Sequence, residues 1–113
     1  DQAIAELQKA VTLSGRSPTC MANLARAYVA SGSRSEAETL LGELKKRSSL
    51  GRSYASEIAV IYTALGDSNQ AMAWLEKGYD ERFNPGVLIR PGLDPLRSDP
   101  RFRNLERRVG FPQ

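Results

Sequence analysis

Ala37 and Ala71 stand 34 residues apart, and that interval recurs over most of the 113-residue chain. Laying residues 18–51 over 52–85 pairs Ala25 with Ala59, Tyr28 with Tyr62, Ala30 with Ala64, Gly32 with Gly66, Ala37 with Ala71 and Leu41 with Leu75. One step further back, Ala3 falls in register with Ala37, Leu7 with Leu41 and Gln2 with Glu36, so the chain is expected to enter in the second half of an earlier repeat. A fixed period of this length marks stacked helical units, each burying an apolar stripe that it cannot bury alone. The period fails after Phe83, where a connector and a capping helix are expected to take over.

Each full repeat reads as two antiparallel helices around a tight turn. In the first, Met21, Leu24, Ala25, Tyr28 and Val29 recur at helical spacing. Ser17 is placed as an N-cap, with Pro18 at the first helical position, where its missing N–H costs nothing. Gly32 can take the left-handed conformation that ends a helix, and Ser33 with Glu36 has the spacing of a capping box. A second helix follows to about Arg47. The next unit repeats this punctuation: Tyr54, Ile58, Ile61, Tyr62 and Leu65 form the stripe, Gly66 the stop, and Asp67 to Gln70 the restart. Its second helix runs through Ala71, Leu75 and Tyr79.

This pattern resembles the tetratricopeptide repeat. The places that define the unit hold Met21, Leu24, Ala25, Tyr28, Ala37 and Leu41 in one copy and Ala55, Ile58, Ala59, Tyr62, Ala71 and Leu75 in the other. Ala25 and Ala59 replace the usual Gly, Leu44 and Gly78 stand where Ala is usual, and Ser49 and Phe83 where a closing Pro would sit. The resemblance covers residues 1–85 and implies an all-α fold, a right-handed α-solenoid of antiparallel helix pairs, divided as 1–17 (the second helix of a truncated repeat), 18–51 and 52–85 (repeats) and 86–113 (connector and capping helix). Residues 93–102 also look like the segment that ends repeat arrays in bacterial regulatory proteins, kinase-linked and transcription-regulator chains among them. There Asp99 and Pro100 form an N-cap and first turn, after which Phe102, Leu105 and Val109 share one helical face.

Catalytic chemistry has few groups to draw on. The chain has no His, a single Cys and no Gly-rich phosphate loop, so neither metal-ligand arithmetic nor an activated thiol is available, and an enzyme, a metal site or a cofactor is not expected. Cys20 reads as a small half-buried filler. Charge is distributed unevenly. Residues 1–85 carry ten basic and ten acidic residues, whereas residues 86–113 carry six Arg against Asp94, Asp99 and Glu106, which is the whole net charge of +3. These arginines lack interleaved aromatic residues and read as the wet face of a cap, so weak binding of nucleic acid or an acidic partner through this tail is a minor alternative.

In the family the resemblance points to, the first helix of each unit lines a ligand groove. Carried onto this sequence, that face comprises Thr19, Ala22, Asn23, Arg26 and Ala30, with Ser53, Ser56, Glu57, Val60 and Thr63 from the second copy. Asn23 and Arg26 can hydrogen-bond a peptide backbone or an acidic side chain. A subgroup of the family clamps the terminal carboxylate of chaperones with Lys, Asn and Arg. Asn23 matches one of those positions, but Ser53 and Glu57 stand where Lys and Arg would, and a carboxylate facing a carboxylate is unfavourable.

The expected function is a non-catalytic protein-interaction module that presents its groove to a peptide, a helix or a neighbouring domain. The alternative is a regulatory or spacer segment of a larger bacterial kinase, cyclase or transcription regulator. Ile4, Leu7 and Val11 of the first helix are expected to be uncovered and to offer an interface for self-association. No apolar run is long enough for membrane insertion, and a cytoplasmic location is the expectation.

Overall fold

The computed structural model describes residues 2–48, 54–80 and 91–109. Five α-helices, α1 (Gln2–Leu13), α2 (Pro18–Ala30), α3 (Arg34–Ser48), α4 (Ala55–Ala64) and α5 (Ser68–Asp80), precede a 3₁₀ helix (Pro91–Leu96) and α6 (Pro100–Val109). The described residues contain no strand. Neighbours in sequence pack side by side, α2 also packs on α4, and α6 covers α5, so the helices form a solenoid closed by a cap.

Three turns are built alike. Gly15, Gly32 and Gly66 all have φ between +68° and +88°, a conformation that only glycine adopts without strain. After Gly32, the Ser33 N–H donates to the Tyr28 carbonyl at 2.7 Å and the Gly32 N–H to that of Val29 at 3.1 Å. The Asp67–Tyr62 and Gly66–Thr63 pairs repeat this pattern, as do Arg16–Val11 and Gly15–Thr12. This is the Schellman closure, which satisfies the carbonyls a helix leaves open at its end. It also alters the expected capping boxes. The backbone N–H that Glu36 or Gln70 would satisfy is already bonded to a tyrosine carbonyl. Of the Asp67–Gln70 box only one half is used, the Gln70 N–H donating to Asp67 Oδ1 at 3.1 Å. Ser17 starts α2 through its backbone, its hydroxyl making no capping bond, whereas Asp99 caps α6 as expected by accepting from the Arg101 N–H at 2.8 Å.

The core is continuous from α1 to α6. Met21, Leu44, Ile58, Ile61, Leu75, Leu93, Leu96, Phe102 and Leu105 are fully buried in it. The two repeat tyrosines are half-buried, and each hydroxyl accepts a hydrogen bond from the helix preceding its own, Tyr28 from Gln8 of α1 at 2.7 Å and Tyr62 from Lys45 of α3 at 3.1 Å. Polar ties join α3 to the turns on both sides of it: Arg34 donates to the Leu65 carbonyl at 3.0 Å, and Arg47 to the Arg16 carbonyl at 2.8 Å.

One expectation about α1 is corrected. Val11 is buried at 3 % exposure, and Ile4 and Leu7 are half-buried against the same core. Most of the apolar stripe of α1 is taken up by α2, its antiparallel neighbour, so Val11 is closed off and Ile4 and Leu7 keep only part of their surface open. The large exposed apolar side chain on α1 is instead Leu13, at 79 %.

Candidate binding groove

The outer positions of α2 separate cleanly by helical period. Met21, Ala22, Leu24 and Ala25 are buried, while Thr19, Asn23, Arg26 and Ala30 are exposed. Asn23, Arg26 and Ala30 lie at successive turns, spaced by three and four residues, and so share a stripe. That stripe forms one side of a groove of about 580 Å³. Leu7 of α1, Thr63 and Ala64 of α4, and Gly92 and Pro95 of the 3₁₀ helix complete its walls together with Ala27 and Val29. Arg26 is the charged member of this lining, with no carboxylate beside it among the lining residues.

The ten groove positions expected from the sequence therefore divide. Asn23, Arg26, Ala30 and Thr63 come together around the groove, and Thr19 is exposed on α2 outside its lining. Ala22 is fully buried, so its small side chain serves close helix packing. Ser53 lies outside the described residues. On α4, Ser56, Val60 and Thr63 are buried and Glu57 is half-buried, contrary to an open groove along that helix. At Val60 the cover is the 3₁₀ helix, which packs along α4 and sets Gly92 against its methyl groups. Thr63 resolves its buried hydroxyl locally by donating to the Ala59 carbonyl at 2.8 Å.

Six residues of the lining are not among the expected groove positions: Ala27, Val29 and Ala64 flank those positions on α2 and α4, Leu7 is expected in a separate interface, and Gly92 and Pro95 in a connector. A usable signal exists in α4, where Ala55, Ile58, Ala59, Val60 and Ile61 are apolar around the whole circumference. A helix apolar all round is covered all round.

Three arginines of the tail, Arg97, Arg101 and Arg108, are engaged with the fold. Arg97 donates to Asp94 at 2.7 Å and lies over the Phe102 ring. Arg101 grips Asp99 through Nε and Nη2 and reaches Asn69 of α5 at 2.8 Å. Arg108 pairs with Glu76 and stacks on Tyr79, both on α5. Asp99 is held below its ordinary carboxyl pKa chiefly by the Arg101 side chain and then by the Arg101 backbone N–H. The contacts of Arg101 with Asn69 and of Arg108 with Glu76 and Tyr79 fasten α6 to α5.

Cys20 is half-buried against the core, as are Trp74 and Tyr79. Lys77 lies 4.7 Å from the centre of the Trp74 ring. No helix among the described residues is long and apolar enough to cross a membrane.

The helix pairs, the glycine turns and the 34-residue register agree with what family comparison finds. Two family models of the tetratricopeptide repeat match the chain, one over residues 1–49 and the other over residues 52–84. No curated protein and no solved structure matches it. The chain belongs to the tetratricopeptide-repeat family, whose repeats serve protein–protein interaction.

Proposed function

We propose that this chain is a non-catalytic module that binds a short apolar peptide segment in the groove between α1, α2 and the end of α4. The observation that carries the reading is the exposed stripe Asn23, Arg26 and Ala30 set against apolar walls. A volume of about 580 Å³ accommodates a few side chains, within the range of ordinary ligand sites. Leu7, Ala27, Ala64 and Pro95 offer surface to an aliphatic side chain. Arg26 supplies a planar fork for a carboxylate, and Asn23 a donor and an acceptor for peptide backbone. A charge near low-dielectric walls acts more strongly than one in open water. The preferred partner thus carries an acidic residue beside aliphatic ones. Arg97, Arg101 and Arg108 serve the fold in this reading, and nucleic acid is not the partner.

The test is a random peptide library selected against the whole chain, with hits measured by fluorescence anisotropy. Acidic residues flanked by aliphatic ones should be enriched. Arg26→Glu should weaken the selected peptides by about tenfold or more, the scale of a lost charged contact, with thermal unfolding unchanged. Asn23→Ala should weaken them less. Equal binding by the Arg26→Glu chain would exclude this groove and leave a spacer role as the better account.

A further inference from the structure

The 34-residue register makes Arg26 of α2 and Val60 of α4 equivalent, yet Arg26 is exposed and Val60 is 2 % exposed. What distinguishes them is Gly92. A Cβ on Gly92 would lie 2.8 and 3.2 Å from the two Val60 methyl groups and 3.5 Å from Arg26 Cδ, so the backbone of the 3₁₀ helix rests directly on Val60 and beside Arg26. Leu93 and Leu96, on either side of Pro95, are fully buried in the common core.

We propose that the Pro91–Leu96 segment is a ligand in cis, occupying the binding side of the last repeat. It lies along α4 where, in an array open at both repeats, a partner's chain would lie. Two buried leucines and a backbone contact too close for a methyl group make it a permanent occupant rather than a displaceable flap. A partner is left the corner of α1 and α2, where Gly92 and Pro95 become one wall of its site. This part of the inference rests on the groove reading above. It makes the partner segment short, engaging one repeat instead of two.

Occupancy can be tested without any partner, in the full chain carrying Cys20→Ser. Val60→Cys should react with a thiol-specific disulfide reagent at least about tenfold more slowly than Asn23→Cys, because reaction requires local opening. Adding Gly92→Val should bring the two rates together. Should that variant not fold, Val60→Cys combined with Gly92→Cys offers a second route, since oxidation should join the two as a disulfide seen by a mass loss of two hydrogens. Equal labelling of Val60→Cys and Asn23→Cys, protection of Val60→Cys that persists in a folded Gly92→Val chain, or failure of the cysteine pair to join would overturn the proposal. The wall is tested with a library-selected peptide. Exposed Pro95→Glu should weaken it by about tenfold through repulsion of its carboxylate, and unchanged affinity would overturn that part. Failure to select any peptide removes the groove reading, whereas labelling alone decides the occupancy of α4.

Discussion

Arg16 holds Glu43 with two hydrogen bonds, Nε to Oε2 at 2.8 Å and Nη2 to Oε1 at 2.6 Å, tying the first turn to α3. Among the described residues Arg16 is also the non-glycine residue at positive φ, 63°, so the ion pair anchors a turn that its own side chain disfavours. The Arg16 hydrogen bond is the main cause that holds the Glu43 carboxyl below its ordinary value of 4.5, with Arg47 adding a smaller attraction. A carboxyl depressed in the folded state stabilises it fully above the unfolded value and loses that contribution as pH falls through the folded value. Thermal midpoints should therefore be level above pH 4.5 and decline below it, with Asp99 adding a second decline below its ordinary 3.8. Glu43→Gln should remove the first part of the decline. Because Glu43 is 33 % exposed, the effect should stay under about 1 kcal/mol and shrink in high salt.

Gly92→Ala should destabilise the chain by about 1–3 kcal/mol, the usual cost of forcing a methyl into a filled site. Val60 is β-branched and cannot swing its methyl groups aside at low cost. Val60→Ala should relieve the clash, so the double variant should lose less than the sum of the single ones by at least about 0.5 kcal/mol. Urea melts of the four chains measure this directly, and strict additivity would show that the two residues do not touch.

Glycines in different backbone conformations should respond with opposite signs. Gly32→Ala and Gly66→Ala each place a Cβ at φ +88° or +83° and should cost about 1–2 kcal/mol. Gly42 lies inside α3, exposed, and a methyl added there would meet nothing within 4 Å. Gly42→Ala should raise stability by about 0.5–1 kcal/mol through helix propensity alone. Shifts in the denaturation midpoint at constant slope would establish both signs.

Burial predicts a similar contrast among leucines. Leu96→Ala empties a fully buried site beneath the 3₁₀ helix and should cost about 2–5 kcal/mol. Leu13→Ser alters a side chain that is 79 % exposed and should change stability by less than about 0.5 kcal/mol. Calorimetric melts of the two variants against the parent chain would separate them by many degrees.

The helix pairs are legible in the sequence because each local signal repeats the same physical demand. Gly32 and Gly66 recur where the chain must enter the left-handed region, and both do so. Tyr28 and Tyr62 recur at the same place on the first helices, and both lend a carbonyl to the turn and a hydroxyl to the preceding helix. Asp99 is readable as a cap from its Pro neighbour. The groove is only half legible. Asn23, Arg26 and Ala30 lie where the register puts them, but the register treats α4 as though it had the same surroundings as α2.

Periodicity determined the order of the helices, the places of the turns and the stripes that form the core, since these depend on residues within a few turns of one another. The tertiary structure decided which of two equivalent helices stays open. Val60 is closed by Gly92, 32 residues further along the chain, and Leu7 becomes a groove wall through the packing of α1 on α2. A repeat register describes what each unit would expose if its neighbours were identical, and the last unit of this array has a different neighbour.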